Sequence, residues 1–522
     1  VLSELSDLLE RGADRPSVEP DFIDLARRGR RRRYTQRATT GLAVVAVLAL
    51  AAGVLLPQLR KPAVLFDTGP RSGVGSWEAV PEAPVGPRTD ADVTSDDRRV
   101  VVFGGTIDDS AEDNISPVEA RDGAVFDTKE RTWTQIPAAP LQDVDDVELL
   151  DDGRLMAHDT TDGRRISAAF YDFGTGQWQE TGSSPVAFWE WEVITWTGEE
   201  LLVWGVTDKG ERSVGAIWNP DSGWRDMAPF PLAPRLSTAW SWAGDRLLVW
   251  GGGMGQAQNG EREQVFDDGM AYFPDHDEWR PLPDSPLEAR QAVQGLWTGD
   301  DWIVMGGWGA GQPIKGASNR PQVKNEVMEE KCDGNQCTGS AQAEIILEET
   351  SIDGEDFADG ARYDLDTGEW TPVATPPVGI RGAVWLGVGR FQAGGKGGMA
   401  EYDPANDSWR TRSDPGLASD RWVSMLVGDR TVIVNTTYDT MRGDVRSPGR
   451  IGGLVYNDRA QRWDPLTEAP TSQRAGAAVT TVGDRLFIWG GESVTRDISQ
   501  GYSSADGDPW QPHADGAILS LD

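Results

Sequence analysis

Leu247-Leu248-Val249-Trp250-Gly251-Gly252 is an apolar run that stops on two glycines. A Gly244-Asp245 turn precedes it, and Tyr272-Phe273 and then Trp279 follow it. A short apolar run bounded by turn residues is a buried strand. The aromatic pair and the Trp, separated by a polar turn, add two strands more. The same order recurs along the chain with a period of about 45 residues. Its second-strand copies are Val100 to Gly105, Arg154 to His158, Leu201 to Gly205, Trp302 to Gly307, Arg390 to Gly395, Thr431 to Asn435 and Leu486 to Gly491. Its third-strand copies are Phe126-Asp127, Tyr171-Asp172, Trp218-Asn219, Tyr363-Asp364, Tyr402-Asp403 and Tyr456-Asn457. The closing tryptophans are Trp133, Trp178, Trp224, Trp279, Trp370, Trp409 and Trp463.

No short sheet of this kind buries a core alone, so the copies must stack on one another. The pattern resembles the Kelch repeat, and the resemblance covers residues 77–522. It implies an all-β fold, a Kelch-type β-propeller like the central domain of galactose oxidase. Eight four-stranded blades are expected, with seven as the alternative. Some units depart from the pattern: His158 and Asn435 stand where the others have glycines, and the second and third units lack the leading Arg. A ring must also close. Asp515-Gly516-Ala517-Ile518-Leu519-Ser520-Leu521-Asp522 matches a third strand, Asp122 to Asp127, and no fourth strand follows it. Ser76-Trp77-Glu78-Ala79-Val80-Pro81 matches the fourth strand Thr132 to Pro137, so it is expected to complete the last blade, leaving Trp510 in a loop.

The charge is uneven. Of 49 Lys+Arg and 84 Asp+Glu, residues 1–61 hold 11 and 7, a net of +4, leaving 38 and 77, a net of −39, for the rest. An Arg cluster from Arg27 to Arg37 precedes an uncharged run, 38–59, whose apolar part is long enough for about 27 Å of helix. These features predict a cytosolic tail (1–37), a single transmembrane helix (38–59), a linker (60–75) and an extracytoplasmic propeller (76–522). A cleaved export signal ending near Ala49-Leu50-Ala51 is the alternative. The net charge of −35 argues against sequence-independent nucleic-acid binding.

Two cysteines and three histidines (His158, His276, His513) leave no multi-Cys or His-rich metal centre, and no cofactor is expected. In an up-and-down sheet the connections after strands two and four share one face. Those after strand two are long (106–121, 253–268 and an insertion at 308–359), so this face is expected to carry function on irregular loops. The insertion holds Cys332 and Cys337, expected to pair as a disulfide outside the cytoplasm, with free thiols as the alternative.

Tryptophans beyond the closing set (Trp189, Trp191, Trp196, Trp240, Trp242, Trp297, Trp302, Trp308, Trp385 and Trp422 among them) are expected mostly to pack between sheets; an exposed one would suit stacking on a sugar or a peptide aromatic. Asp364-Leu365-Asp366-Thr367-Gly368 has a calcium-like spacing but reads as turn chemistry. Asp143, Asp145, Asp146, Asp151 and Asp152 read as a solvated acidic face, and His158 as a packing residue. Galactose oxidase's copper chemistry does not carry over, since neither cysteine lies near a propeller strand and no His pair is present.

The leading expectation is a membrane-anchored propeller that binds a protein or glycan ligand without catalysis. The alternatives are a carbohydrate-active enzyme (a sugar epimerase or oxidase) and a sensor signalling through residues 1–37.

Overall fold

The computed structural model describes residues 73–521 apart from interruptions, the longest being 108–117, 255–263, 314–321, 414–421 and 495–509. The expected tail, membrane helix and most of the linker therefore lie outside the described residues. Among the described residues no helix is long and apolar enough to cross a membrane.

The chain is all-β, built of antiparallel sheets of four strands in sequence order, as a β-propeller requires. The first sheet is Asp92–Ser95, Arg99–Phe103, Gly123–Asp127 and Thr132–Ile136. The second is Asp146–Leu149, Leu155–Thr161, Arg165–Asp172 and Gln177–Ser183. The third is Glu190–Trp196, Leu201–Thr207, Arg212–Asn219 and Gly223–Asp226. The fourth begins at Ala239–Trp242, the fifth at Gln294–Trp297, the sixth at Ala383–Trp385 and the seventh at Trp422–Val427. An eighth is Ala475–Val482, Arg485–Val494, Gly516–Ser520 and, from the other end of the chain, Ser76–Val80.

First strands are innermost. Asp92–Ser95 lies against both Asp146–Leu149 and Ala475–Val482, and Ala239–Trp242 lies against Gln294–Trp297. Second strands are the most buried: Val100, Val101 and Phe103 in one sheet and Leu247, Leu248, Val249 and Trp250 in another are fully enclosed. Their side chains alternate between two seams, which is why an uninterrupted apolar run is needed there. Val101 and Phe103 pack toward the second sheet, whereas Val100 and Val102 pack toward the eighth. Similar clusters join the second sheet to the third, third to fourth, fourth to fifth, fifth to sixth and seventh to eighth. Between the sixth and seventh the described contact is polar: Arg412 pairs with Glu401 and Asp458, and Thr431 donates to Glu401.

The closing tryptophans do more than fill space. Trp133 donates its indole N–H to the Pro81 carbonyl at 2.7 Å, Trp178 to Pro137 at 3.0 Å and Trp224 to Thr181 at 2.9 Å. Trp279 donates to Ala228, Trp370 to Pro283, Trp409 to Ala374, Trp463 to Ser413 and Trp77 to Thr467. In every case the acceptor lies at the end of the fourth strand of the preceding sheet. The bonds run once around and return to their start.

The expected closure is present: Trp77 pairs with Leu519 and Val80 with Gly516. Upstream, Val74 bridges Leu466 in parallel, adding an attachment to the seventh sheet. Two expectations need correction. Trp510 is not in a loop. It starts a short strand, Trp510–Pro512, paired to Glu492–Val494, because the eighth sheet's second strand runs past Gly490-Gly491 and offers N–H and C=O groups that need partners.

Nor are the connections after second strands simply irregular. Thr106–Ile107 pairs with Val118–Glu119, Gly253–Met254 with Gln264–Val265 and Asp439–Thr440 with Arg446–Ser447. The 308–359 insertion holds three nested strand pairs, the innermost setting Cys332 opposite Cys337. Whether those thiols are joined concerns side chains outside the described residues.

Candidate functional site

Arg88, Arg235, Arg290 and Arg474 stand just before first strands, and all four are buried. The Arg235 guanidinium donates to the Gly251 carbonyl at 3.3 Å and to Asp268 Oδ1 at 2.6 Å. Arg88 does the same to Gly104 and Asp122, Arg290 to Gly306 and Asp359, and Arg474 to Gly490 and Asp515. The diglycine is what lets the chain come this close. Both residues of Gly251-Gly252 have positive φ (68° and 88°), and a Cβ on Gly252 would lie 2.7 Å from the Leu236 carbonyl oxygen. Arg and Gly-Gly are thus one clamp that pins the fourth-to-first connection over the long-loop face.

The aromatic-Asp position has its own task. Asp364 Oδ1 accepts the N–H groups of Asp366 and Thr367 at 2.8 and 2.9 Å, and Asp127 and Asp172 act likewise. These bonds hold the Asp364 and Asp172 carboxyls below the usual range. The calcium-like spacing is a turn, and among the described residues no three His, Cys, Asp or Glu side chains gather as a metal site.

The adjacent second and third sheets lack the clamp, and there the face changes shape. Their middle strands run on as tall hairpins, Leu155–Thr161 with Arg165–Asp172 and Leu201–Thr207 with Arg212–Asn219. The segment between the sheets is held by both: Phe188 N–H donates to the Arg164 carbonyl at 2.8 Å, and Trp189 N–H to Val206 at 2.7 Å. Trp189 is 46% exposed, the exposed large hydrophobic side chain among the described residues. Below it lies Gly210, whose φ is 95°; a Cβ there would sit 3.6 Å from the indole and 2.1 Å from Met254 Cε.

The first strands of these two sheets carry carboxyls. Asp146 lies opposite His158 in register, and His158, almost fully buried, meets Trp191 edge-on at 6.0 Å. Val147 packs toward the first sheet, so Asp146 and Glu148 take the opposite side of their strand, toward the third sheet. Burial raises the Asp146 carboxyl, with His158 opposing. Glu148 keeps contact with solvent yet is closely surrounded by protein; desolvation, then Asp146 and Asp151, push it up to about 7. Glu192 is buried on the other side of its strand and accepts the Thr238 N–H at 2.8 Å.

The expected solvated acidic face is therefore only partly right. Asp145 is occupied, accepting from both the N–H and the hydroxyl of Thr160 at 2.9 and 2.7 Å, and Asp146 is half-buried opposite His158. Asp152 does remain near solvent, paired with Arg154 at 2.7 Å. Strand pairing is the reason: Asp146 lies opposite His158 in the ladder, while Glu148 on the same strand stays exposed. Glu148, Glu190 and Glu192 were not singled out from the sequence, although carboxylates at every second residue of a first strand were the available signal. Of the additional tryptophans, Trp302 and Trp191 are buried, and Trp196, Trp240, Trp242 and Trp297 are packed against seam clusters. The side chains of Trp385 and Trp422 lie outside the described residues.

No protein-family model matches this chain, and no curated protein does. Among solved structures it is similar to one described as "Structure of YjhT", at 14% identity and a TM-score of 0.34, over 65% of this chain and 96% of that one.

Proposed function

We propose that the eight sheets are the blades of a Kelch-type propeller, anchored through residues 38–59 with the propeller outside the cytoplasm, and that it binds a protein or glycan ligand through its long-loop face without catalysis. The observation that carries the reading is the coincidence of two departures at one place. The Arg–diglycine clamp, made in the first, fourth, fifth and eighth sheets, is not made in the adjacent second and third, and between those two a large indole stands exposed. Departures from a recurring local pattern tend to collect at functional sites. The Arg cluster before residue 38 and the acidity of all that follows residue 61 support the address.

The test is photo-crosslinking on intact cells, with the reactive residue at Glu211 on the long-loop face or at Gly244 on the opposite face. Capture of one discrete ligand from Glu211 and not from Gly244 is expected. Equal capture from both, or from Gly244 alone, overturns the choice of face.

A second reading, a carbohydrate-active enzyme such as an epimerase or oxidase, has one observation in its favour. Glu148, held near neutrality beside Asp146, titrates where a general acid or base works best. Sugar turnover abolished by Glu148→Gln would favour it over binding alone.

A further inference from the structure

We propose that Trp189 is the stacking platform of a neutral glycan, one pyranose ring lying on its open face; this rests on the long-loop face being the binding face. The indole is half open and half braced. Its backbone N–H is tied to Val206, and its ring lies beside Gly210, where a φ of 95° strains any other residue. A ring fixed in advance gives up little rotamer freedom when a ligand arrives, which is what stacking on a small flat partner needs.

Size decides between a sugar and a protein. Just under half of a Trp side chain is about 100 Å² of apolar surface, whereas a stable protein interface takes roughly 800 Å² from each partner. No second exposed large hydrophobic stands among the described residues to enlarge the patch. One indole face matches one pyranose face.

Charge narrows the class. Glu190 follows Trp189 directly, and Glu211 and Arg212 lie at the neighbouring hairpin. Arg164 lies on the other side, its carbonyl bonded to the residue before Trp189. Both signs are present, so hydroxyls find donors and acceptors alike. Neither sign dominates, so the place offers no net charge to favour a uronic or sialic acid or a polycation over a neutral sugar.

The experiment uses the full chain in a detergent without a sugar headgroup, titrated with cello-, xylo-, manno- and chito-oligosaccharides and with their uronic-acid counterparts. Binding of at least one neutral series is expected, weakened tenfold or more in Trp189→Ala and by only a few-fold in Trp189→Phe. The melting temperature should be unchanged in both variants, since the ring contributes little to any seam. If a neutral glycan binds and Trp189→Ala binds it equally, the platform is wrong while the binding face survives. If no glycan binds and crosslinking at Glu211 still captures a protein, the glycan class is wrong and the face survives. Preference for the uronic-acid series overturns the charge argument. Failure of both the titration and the Glu211 crosslink removes the face and the platform together.

Discussion

Arg235 has no exposure to solvent and donates to Ala233, Gly251 and Asp268, so it is held by carbonyls as much as by charge. Replacing it by Ala strands those carbonyls, while Asp268, half exposed, regains water. The expected loss is about 3 kcal/mol, read as an earlier denaturation midpoint. Arg98 makes a comparably short ion pair with Asp127 but is 53% exposed, and its replacement by Ala should barely move the midpoint. Glu148 makes a prediction in pH. Its folded value, about 7, lies above the ordinary glutamate value of 4.5, so the folded state holds the proton more tightly across that interval. The contribution of Glu148 to stability should therefore be greatest below about pH 4.5 and fall as pH rises toward 7. Glu148→Gln should remove this slope and stabilise at pH 7.5 by about 1 kcal/mol, a discounted figure because the carboxyl still reaches solvent. A variant whose pH profile overlays the wild type would assign the slope to other groups.

Elements of the core were legible because their residues have few alternatives. Leu247–Trp250 is flanked by seams on both sides and must be apolar throughout, and Trp279 marks the outer strand in sheet after sheet. Ser76–Val80 was legible by its likeness to Thr132–Ile136, even though its partner lies at the far end of the chain. Trp510–Pro512 was not, since a three-residue strand has no period to read and exists only because a neighbouring strand overruns. The site was only half legible. An exposed Trp189 and a buried Trp191 look alike in sequence, and a one-residue irregularity in register between Trp191 and Val193 decides which way that strand's side chains face.

Two element-level predictions follow from the pairings. A chain beginning at Pro87 loses Ser76–Val80, the Trp77 bond to Thr467 and the Pro81 acceptor of Trp133. It should expose the edge of Gly516–Ser520 and aggregate in size-exclusion chromatography, whereas a chain beginning at Gly73 should not. Equal melting of the two would place the closure elsewhere. Replacing Cys332 and Cys337 by Ser acts on a hairpin whose register contacts are with its own insertion, so melting should hold while proteolysis between Trp308 and Asp359 changes. A large drop in melting temperature would instead mean that the insertion packs on the sheets.

The whole molecule has an address to test. In a Cys332→Ser, Cys337→Ser background, Ser222→Cys should be labelled on intact cells by an impermeant thiol reagent, and Ser17→Cys should be labelled only after lysis. Labelling of Ser17→Cys alone on intact cells would invert the orientation and put the long-loop face in the cytoplasm.

The offset between chain and sheet also bears on how such a gene grows. Each fourth strand is followed in the chain by the first three strands of the next sheet, and the last sheet borrows its fourth from the start. A duplicated segment running from one closing Trp to the next therefore carries the outer strand of one sheet and the inner three of another. Inserted in tandem, it completes its predecessor, begins its successor and brings its own indole donor and carbonyl acceptor. The pairing of Ser76–Val80 with Gly516–Ser520 is left as it was. Copy number and closure are inherited separately, so units such as the second and third are free to diverge without reopening the ring.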